Sequence, residues 1–170
     1  MLSALPSIAR ALVAGAIAGT VLLATPAAPV QAGQVQDRAG HHKKHKPTRV
    51  ERAVNVAVAQ KGDPYRYGAA GPGAFDCSGL VFYSFRRAGF SNIPRTSSAQ
   101  AHFAHRISRG GMQRGDLMFF YDGGGVYHVG VFAGWSHGHR LVLHAPYSGT
   151  RVRTDRVWTN SWYPGTLRRR

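Results

Sequence analysis

Cysteine is nearly missing from this chain. Its 170 residues hold one, Cys77, so no internal disulfide can form. Acidic residues are scarce as well: Asp and Glu total 7 against 22 Lys and Arg, a formal net charge of +15 with neutral histidines. No apolar run reaches the ~18 residues of a bilayer-spanning helix. There is no heptad pattern, no G-X-Y period and no internal repeat, which excludes coiled coil, collagen and solenoid. No Walker loop, no G-x-G-x-x-G after a strand and no H-E-x-x-H occurs, so the usual nucleotide and zinc-peptidase signatures are missing. What is present is enough apolar material for a core. Hydrophobic residues make up 44% and charged residues only 17%, the opposite of a disordered composition. The basic excess predicts an anionic partner, whether nucleic acid, membrane or another polyanion.

The first segment narrows that choice. Arg10 precedes a 14-residue uncharged stretch, Ala11 to Ala24, and Pro26 and Pro29 follow it. Val30-Gln31-Ala32 then offers small residues at the −3 and −1 positions of a cleavage site. Residues 1–32 therefore read as a secretory signal peptide. As a helix the apolar stretch would span roughly 21 Å, short of the ~30 Å bilayer core, so it does not read as an anchor. The mature chain is expected outside the cytoplasm, without a transmembrane anchor and away from nucleic acid. Residues 33–48 read as a basic, flexible linker in which His41, His42, Lys43, Lys44, His45 and Lys46 stand together. No cysteine or carboxylate is spaced there to complete a metal site, so electrostatic attraction is the preferred role.

Residues 49–170 read as one domain. Thr48-Arg49-Val50-Glu51 fits a capping box, and Val50, Ala53, Val54, Ala57 and Val58 recur at helical spacing. Asp76 is a good N-cap for a second helix over Cys77 to Ala88, with Gly89 just beyond its end. A short third helix is expected over Ser97 to His105. The period then turns extended. Leu117–Tyr121, Tyr127–Phe132, Leu141–His144 and Arg151–Val157 are rich in β-branched and aromatic residues and are separated by glycine and serine turns. Helices followed by strands argue for an α+β fold, an antiparallel sheet with helices on one side.

Cys77 is the candidate nucleophile. An unpaired thiol in an exported protein is an oxidation liability, so its presence asks for a reason. Its place at a helix N-terminus predicts a thiol pKa pulled down toward the thiolate. A thiol nucleophile needs a base, and the base needs an orienting partner. Strand alternation puts His128, Gly130 and Phe132 on one face, and His144 ends the next strand. A hairpin through Gly134–Arg140 would point both histidines the same way, one fixing the tautomer of the other.

Several blocks resemble the NlpC/P60 cysteine peptidases. They are Pro64-Tyr65-Arg66-Tyr67-Gly68, Phe75-Asp76-Cys77-Ser78-Gly79-Leu80-Val81, Pro94-Arg95-Thr96-Ser97 with Gln100, Gly115-Asp116-Leu117 with Phe119-Phe120, His128-Val129-Gly130-Val131, and Leu143-His144-Ala145-Pro146. The resemblance covers about residues 50–165. It implies a papain-like α+β fold in which N-terminal helices, one bearing the nucleophile, pack on an antiparallel sheet. It implies Cys77 as nucleophile, His128 as general base and His144 as the orienting third residue. Tyr65 would lie near the nucleophile and aid the oxyanion. Asp76 would serve the helix cap and local electrostatics, and Ser78 would help shape the substrate site. Two features depart from the pattern. Ala69 stands where a second glycine is usual, and the turn from Trp135 to Arg140 is longer than in many members. His137 and His139 in that turn are expected to face solvent.

The implied activity is hydrolysis of peptidoglycan stem peptides, at the bond between D-γ-glutamate and diaminopimelate or lysine, with no metal or cofactor. The chain would be a monomer, secreted and associated with the cell wall, its basic surface drawn to anionic wall polymers. Alternatives are a same-fold amidase, cross-bridge endopeptidase or acyltransferase, and an inactive basic wall-binding module.

Overall fold

The computed structural model describes residues 46–168. The expected signal segment, 1–32, and nearly all of the linker lie outside the described residues. The first helix, α1 (Arg49–Ala59), starts where its capping box predicts. The Glu51 amide donates to the Thr48 hydroxyl at 3.2 Å and the Thr48 amide donates to the Glu51 carboxylate at 2.7 Å. Its apolar stripe of Val50, Ala53, Val54 and Ala57 is buried. The second helix, α2 (Cys77–Arg87), has Asp76 as N-cap and packs against α1. Leu80, Val81, Ser84 and Phe85 are buried along it, and Gly89 takes the positive φ of 96° expected just past a helix end.

The third helix, α3 (Ser97–Phe103), is two residues shorter than expected. His105 leaves it to begin a two-residue strand, β1 (His105–Arg106). The other strands are β2 (Leu117–Asp122), β3 (Gly125–Ser136), β4 (His139–His144), β5 (Arg153–Arg156) and β6 (Trp162–Thr166). They form a six-stranded antiparallel sheet in the order β1-β6-β2-β3-β4-β5. Sequence reading misses β1 because it is too short to show alternation. It misses β6 because Trp-Tyr-Pro-Gly-Thr carries two residues that ordinarily demote a strand. The structure accommodates Pro164 simply. Its carbonyl accepts from the Ile107 amide at 3.2 Å, but its nitrogen has no hydrogen to return a bond, and β1–β6 pairing ends at Arg106.

The sheet buries both faces. Leu117, Phe119, Val129, Val131 and Leu143 pack on α1 and α2 in the main core. Met118, Phe120, Phe132, Val142 and Trp162 form a second cluster on the opposite face. The long turn inferred between the two histidines is in fact a two-residue hairpin. β3 runs on to Ser136, β4 starts at His139, and His137 (φ 48°) and Gly138 (φ 77°) take the left-handed conformations that such a turn requires. The extra residues lengthen the strands rather than the loop. Among the described residues no helix is long and apolar enough to cross a membrane.

One close approach fixes the loop before α2. A Cβ on Gly79 would collide with the Ala69 backbone carbonyl. That carbonyl accepts from the Asp76 amide at 2.9 Å, so it cannot move without opening the loop. Ala69 itself keeps an ordinary negative φ, so the family's usual glycine is not needed there. Gly79→Ala should therefore destabilise the domain by about 1–3 kcal/mol, the range for overpacking. Urea unfolding checks this; an unchanged midpoint would show that the loop yields freely.

Candidate active site

The loop from Asp63 to Asp76 is pinned at both ends. The Tyr65 amide donates to the Thr150 carbonyl at 2.8 Å, and the Phe75 amide donates to the Pro64 carbonyl at 3.1 Å. Asp76 then accepts from the backbone of Gly79 at 2.6 Å and of Gly68 at 2.9 Å. Arg95 grips the same carboxylate with both terminal nitrogens, at 3.0 and 2.6 Å. A bidentate guanidinium–carboxylate pair of this kind fixes orientation as well as distance. Gln100, fully buried, donates to the carbonyls of Ser78 and Pro94 and holds the Arg95 segment against α2. Ser78 is also buried. Its hydroxyl donates to Asp76 at 3.2 Å and accepts from Arg95 at 3.1 Å, so it is bound up in this network more than it faces the cleft.

Cys77, half-buried, stands at the start of α2 beside the open edge of β3. Pairing of β3 with β4 stops at Val131 and Leu143, and beyond it the Val129 backbone bonds to the Cys77 side chain. His128 and His144 project from the second face of the sheet. Gly130, which separates their positions, has room for no side chain: a Cβ there would meet Val142 and the His144 Cβ. The His128 Nε2 and His144 Nδ1 atoms lie 2.8 Å apart, with the rings at 79°. Both residues are almost fully enclosed, 6% and 2% exposed. Trp158 lies against His144 in a near-parallel stack at 5.3 Å and sandwiches onto Phe120 at 4.4 Å.

Cys77, His128, His144 and Tyr65 line one cavity of about 660 Å³, together with Tyr127, Tyr147, Arg153, Asp155, Arg156 and Trp158. Asp76 and Ser78 line a second cavity of about 440 Å³ that shares Tyr65 and Cys77 with the first, with Tyr67, Arg95 and Thr96. His137 and His139 are exposed at the hairpin tip, away from both. Among the described residues no group of three or more His, Cys, Asp or Glu is placed to hold a metal ion.

Sequence reasoning gave no role to Asp155, Arg95 or Trp158. Asp155 accepts from His144 Nε2 at 3.0 Å and from Arg153 Nε at 2.7 Å, and it is one of only six acids in the described residues. A lone carboxylate inside the basic strand Arg-Thr-Asp-Arg was the available signal. It needed the register, Val142 opposite Asp155, to place that carboxylate on the histidine face.

Electrostatics reverse one expectation. The helix start predicts a lowered thiol, but burial pushes the Cys77 thiol up, against the downward pull of the Val129 and Ser78 backbone. Burial, and then the neighbouring His144, push His128 down to about 3. His144 is also lowered by burial, in part offset by its bond to Asp155. Burial alone would raise Asp155, but its bonds from His144 and Arg153 hold it below the usual carboxylate range. Tyr65 is raised by burial and by the charges of Cys77 and Asp76, so its phenol stays protonated and able to donate. The resting pair is therefore neutral thiol and neutral imidazole.

A helix-start cysteine sharing a cavity with a buried imidazole pair, on an α+β scaffold, defines the class of domain. A model of the NlpC/P60 family matches residues 62–170, and the chain belongs to that family. It is 43% identical over 97 residues to a probable endopeptidase of Corynebacterium glutamicum, covering 57% of this chain and 43% of that one. It is 47% identical over 109 residues to a probable endopeptidase p60 of Listeria innocua, covering 63% of this chain and 22% of that one. The chain thus spans less than half the length of these relatives. Among solved structures it matches the NlpC/p60 domain of the peptidoglycan hydrolase SagA with a TM-score of 0.61 and 28% identity, over 69% of this chain and 98% of that one. It also matches the peptidoglycan hydrolase RipB of Mycobacterium tuberculosis with a TM-score of 0.59 and 30% identity, over 70% and 64%. The α+β architecture expected from the resemblance is the one observed.

A neutral resting pair has a measurable consequence. Alkylation needs the thiolate, whose fraction rises with pH up to the raised thiol pKa. Iodoacetamide should therefore modify Cys77 at a rate that climbs steadily from about pH 5 to about pH 8. A flat rate across that range would reveal a thiolate–imidazolium pair instead.

Proposed function

We propose that the domain is an exported cysteine endopeptidase that hydrolyses peptidoglycan stem peptides at the bond between D-γ-glutamate and diaminopimelate or lysine. The observation that carries this reading is the buried His128–His144 bond of 2.8 Å in the cavity that Cys77 also lines. Family membership supports it, and so do relatives named as probable endopeptidases and peptidoglycan hydrolases.

In this mechanism Cys77 Sγ attacks the γ-carbonyl carbon as its proton passes to His128. The oxyanion is met by the Cys77 backbone N–H at the start of α2 and by the Tyr65 hydroxyl. The intermediate collapses with cleavage of the C–N bond, and the imidazolium gives its proton to the departing amine. A thioester remains on Cys77. His128 then takes a proton from water, the resulting hydroxide attacks the thioester, and the thiol leaves with that proton restored to sulfur. His144 orients the base throughout. Asp76 does not move protons in this scheme, since it is saturated with donors.

Residues 1–32 would direct export and be removed, 33–48 would tether, and the domain from residue 49 would act. From residue 50 onward there are 16 basic and 6 acidic residues, a net +10, so the domain carries much of the attraction to anionic wall polymers.

The test is digestion of purified sacculi of known chemistry with wild type and Cys77→Ala, with fragments identified by mass spectrometry. Wild type should release fragments cut after D-γ-glutamate, and Cys77→Ala none. Release of whole stem peptides from the sugar would identify an amidase. Binding without release from wild type would identify a wall-binding module. Sacculus binding by Cys77→Ala should also weaken several-fold between about 0.05 M and about 0.5 M salt. Binding indifferent to salt would remove the electrostatic part of the proposal.

A further inference from the structure

Behind the imidazole pair lies a carboxylate that the mechanism above does not use. Asp155 sits on β5 opposite Val142, on the sheet face that carries His144. Its Oδ2 is 3.0 Å from His144 Nε2, and His144 Nδ1 is 2.8 Å from His128 Nε2. Arg153 Nε donates to the same Oδ2 at 2.7 Å, and Arg153 Cζ lies 5.9 Å over the Tyr147 ring.

The donor and acceptor roles along this line follow from chemistry. An ionised carboxylate can only accept, so His144 Nε2 carries the hydrogen of the first bond. A neutral imidazole has one N–H, so His144 Nδ1 is a lone pair and must accept in the second bond. The hydrogen of that bond therefore belongs to His128 Nε2. What is left on His128 is Nδ1, as a bare lone pair, the only form in which it can take a proton from the thiol. Each bond also turns its negative end toward His128, which stabilises the cation as it forms.

We propose that Asp155 is a positioning residue that sets the proton-accepting tautomer of His128 through His144, and that Arg153 fixes the oxygen Asp155 presents. This rests on the reading of His128 as the base. Without Asp155, His144 is free to carry its hydrogen on Nδ1, which would donate to His128 Nε2 and leave the only N–H of His128 on Nδ1. A base in that form cannot accept the proton. Asparagine is the informative replacement. Because Arg153 Nε must donate to whatever atom lies there, the side-chain amide of Asp155→Asn places its oxygen, not its nitrogen, between Arg153 and His144. The acceptor survives while the charge is lost.

The test compares wild type, Asp155→Ala, Asp155→Asn and Asp122→Ala, the last removing a carboxylate from the exposed β2–β3 turn. Imidazole nitrogen-15 NMR on the full chain should show His128 and His144 of wild type both protonated on Nε2. Asp155→Ala should populate the Nδ1–H form of His128 and lower kcat on a purified stem fragment about 10- to 100-fold, the usual cost of losing an orienting partner, with KM changed less than about 3-fold. Asp155→Asn should keep the wild-type tautomers and recover most of kcat, and Asp122→Ala should match wild type. The proposal is overturned by an Nδ1–H form of His128 in wild type, by wild-type tautomers in Asp155→Ala, or by Asp155→Asn as slow as Asp155→Ala. The NMR arm needs no substrate. If wild type leaves sacculi uncut, the endopeptidase reading fails on that result alone, while the tautomers still decide the relay.

Discussion

The Asp76 carboxylate is the point on which the site hangs. It takes the Gly79 amide at the start of α2, the Gly68 amide of the preceding loop, the Ser78 hydroxyl and both arms of Arg95. The loop, the helix start that follows it and the strap before α3 are thereby tied together beside Cys77. The Asp76 side chain is only 10% exposed, so removing Arg95 strips an enclosed carboxylate of two of its five bonds and of its counter-charge, which is destabilising. Losing Arg95 would leave the carboxylate, still bonded to Gly79, Gly68 and Ser78, beside Cys77, where its negative charge opposes thiolate formation. The ion pair thus serves geometry and electrostatics together.

Legibility in the sequence followed how local the determining interaction is. The cap of α1 and the N-cap of α2 are made by residues three apart, and both were readable from Thr48, Glu51 and Asp76. The His128 and His144 strands alternate cleanly because one side of each packs on the helices. By contrast, Asp155 acquires its role only through β4–β5 pairing, and Arg95 through a contact 19 residues back along the chain. No residue-type pattern near either one announces the partner. β6 was hidden for a different reason. Its Pro164 violates strand preference, and the violation is harmless only because β1 is two residues long and asks for no bond from that nitrogen.

Burial changes the meaning of the helix-start cysteine. The dipole of a helix of 11 residues offers roughly half a charge at its end, but desolvation of a largely enclosed thiol works against it and wins in direction. The same enclosure keeps two imidazoles neutral side by side, which is the condition for packing them under Trp158 with no counter-ion at His128 itself. An imidazole pushed this far below its ordinary range holds no second proton at rest. The Asp155 carboxylate, a third exposed and gripped by Arg153, lies two hydrogen bonds away, so a negative charge stands near His128 without being buried beside it.

The shortage of acid shapes the rest of the molecule too. Residues 46–168 contain 14 arginines and two lysines against six acids, so few guanidiniums can find a carboxylate. Many take carbonyls and rings instead. Arg52 donates to Pro47 and Ala88. Arg86 donates to Ser91 over Phe82, and Arg109 to Asn160 and Trp162 over the Trp162 ring. These clasps need a planar fork that bonds a carbonyl edge-on and stacks on an aromatic face, which an ammonium cannot do. The preference for arginine over lysine therefore has a structural cause. Because carbonyls and rings neutralise nothing, the positive field survives intact at the surface. Lysine in the same places would preserve the field and lose the clasps, so the domain's positive charge and the bonds that close its loops are separable properties of the same side chains.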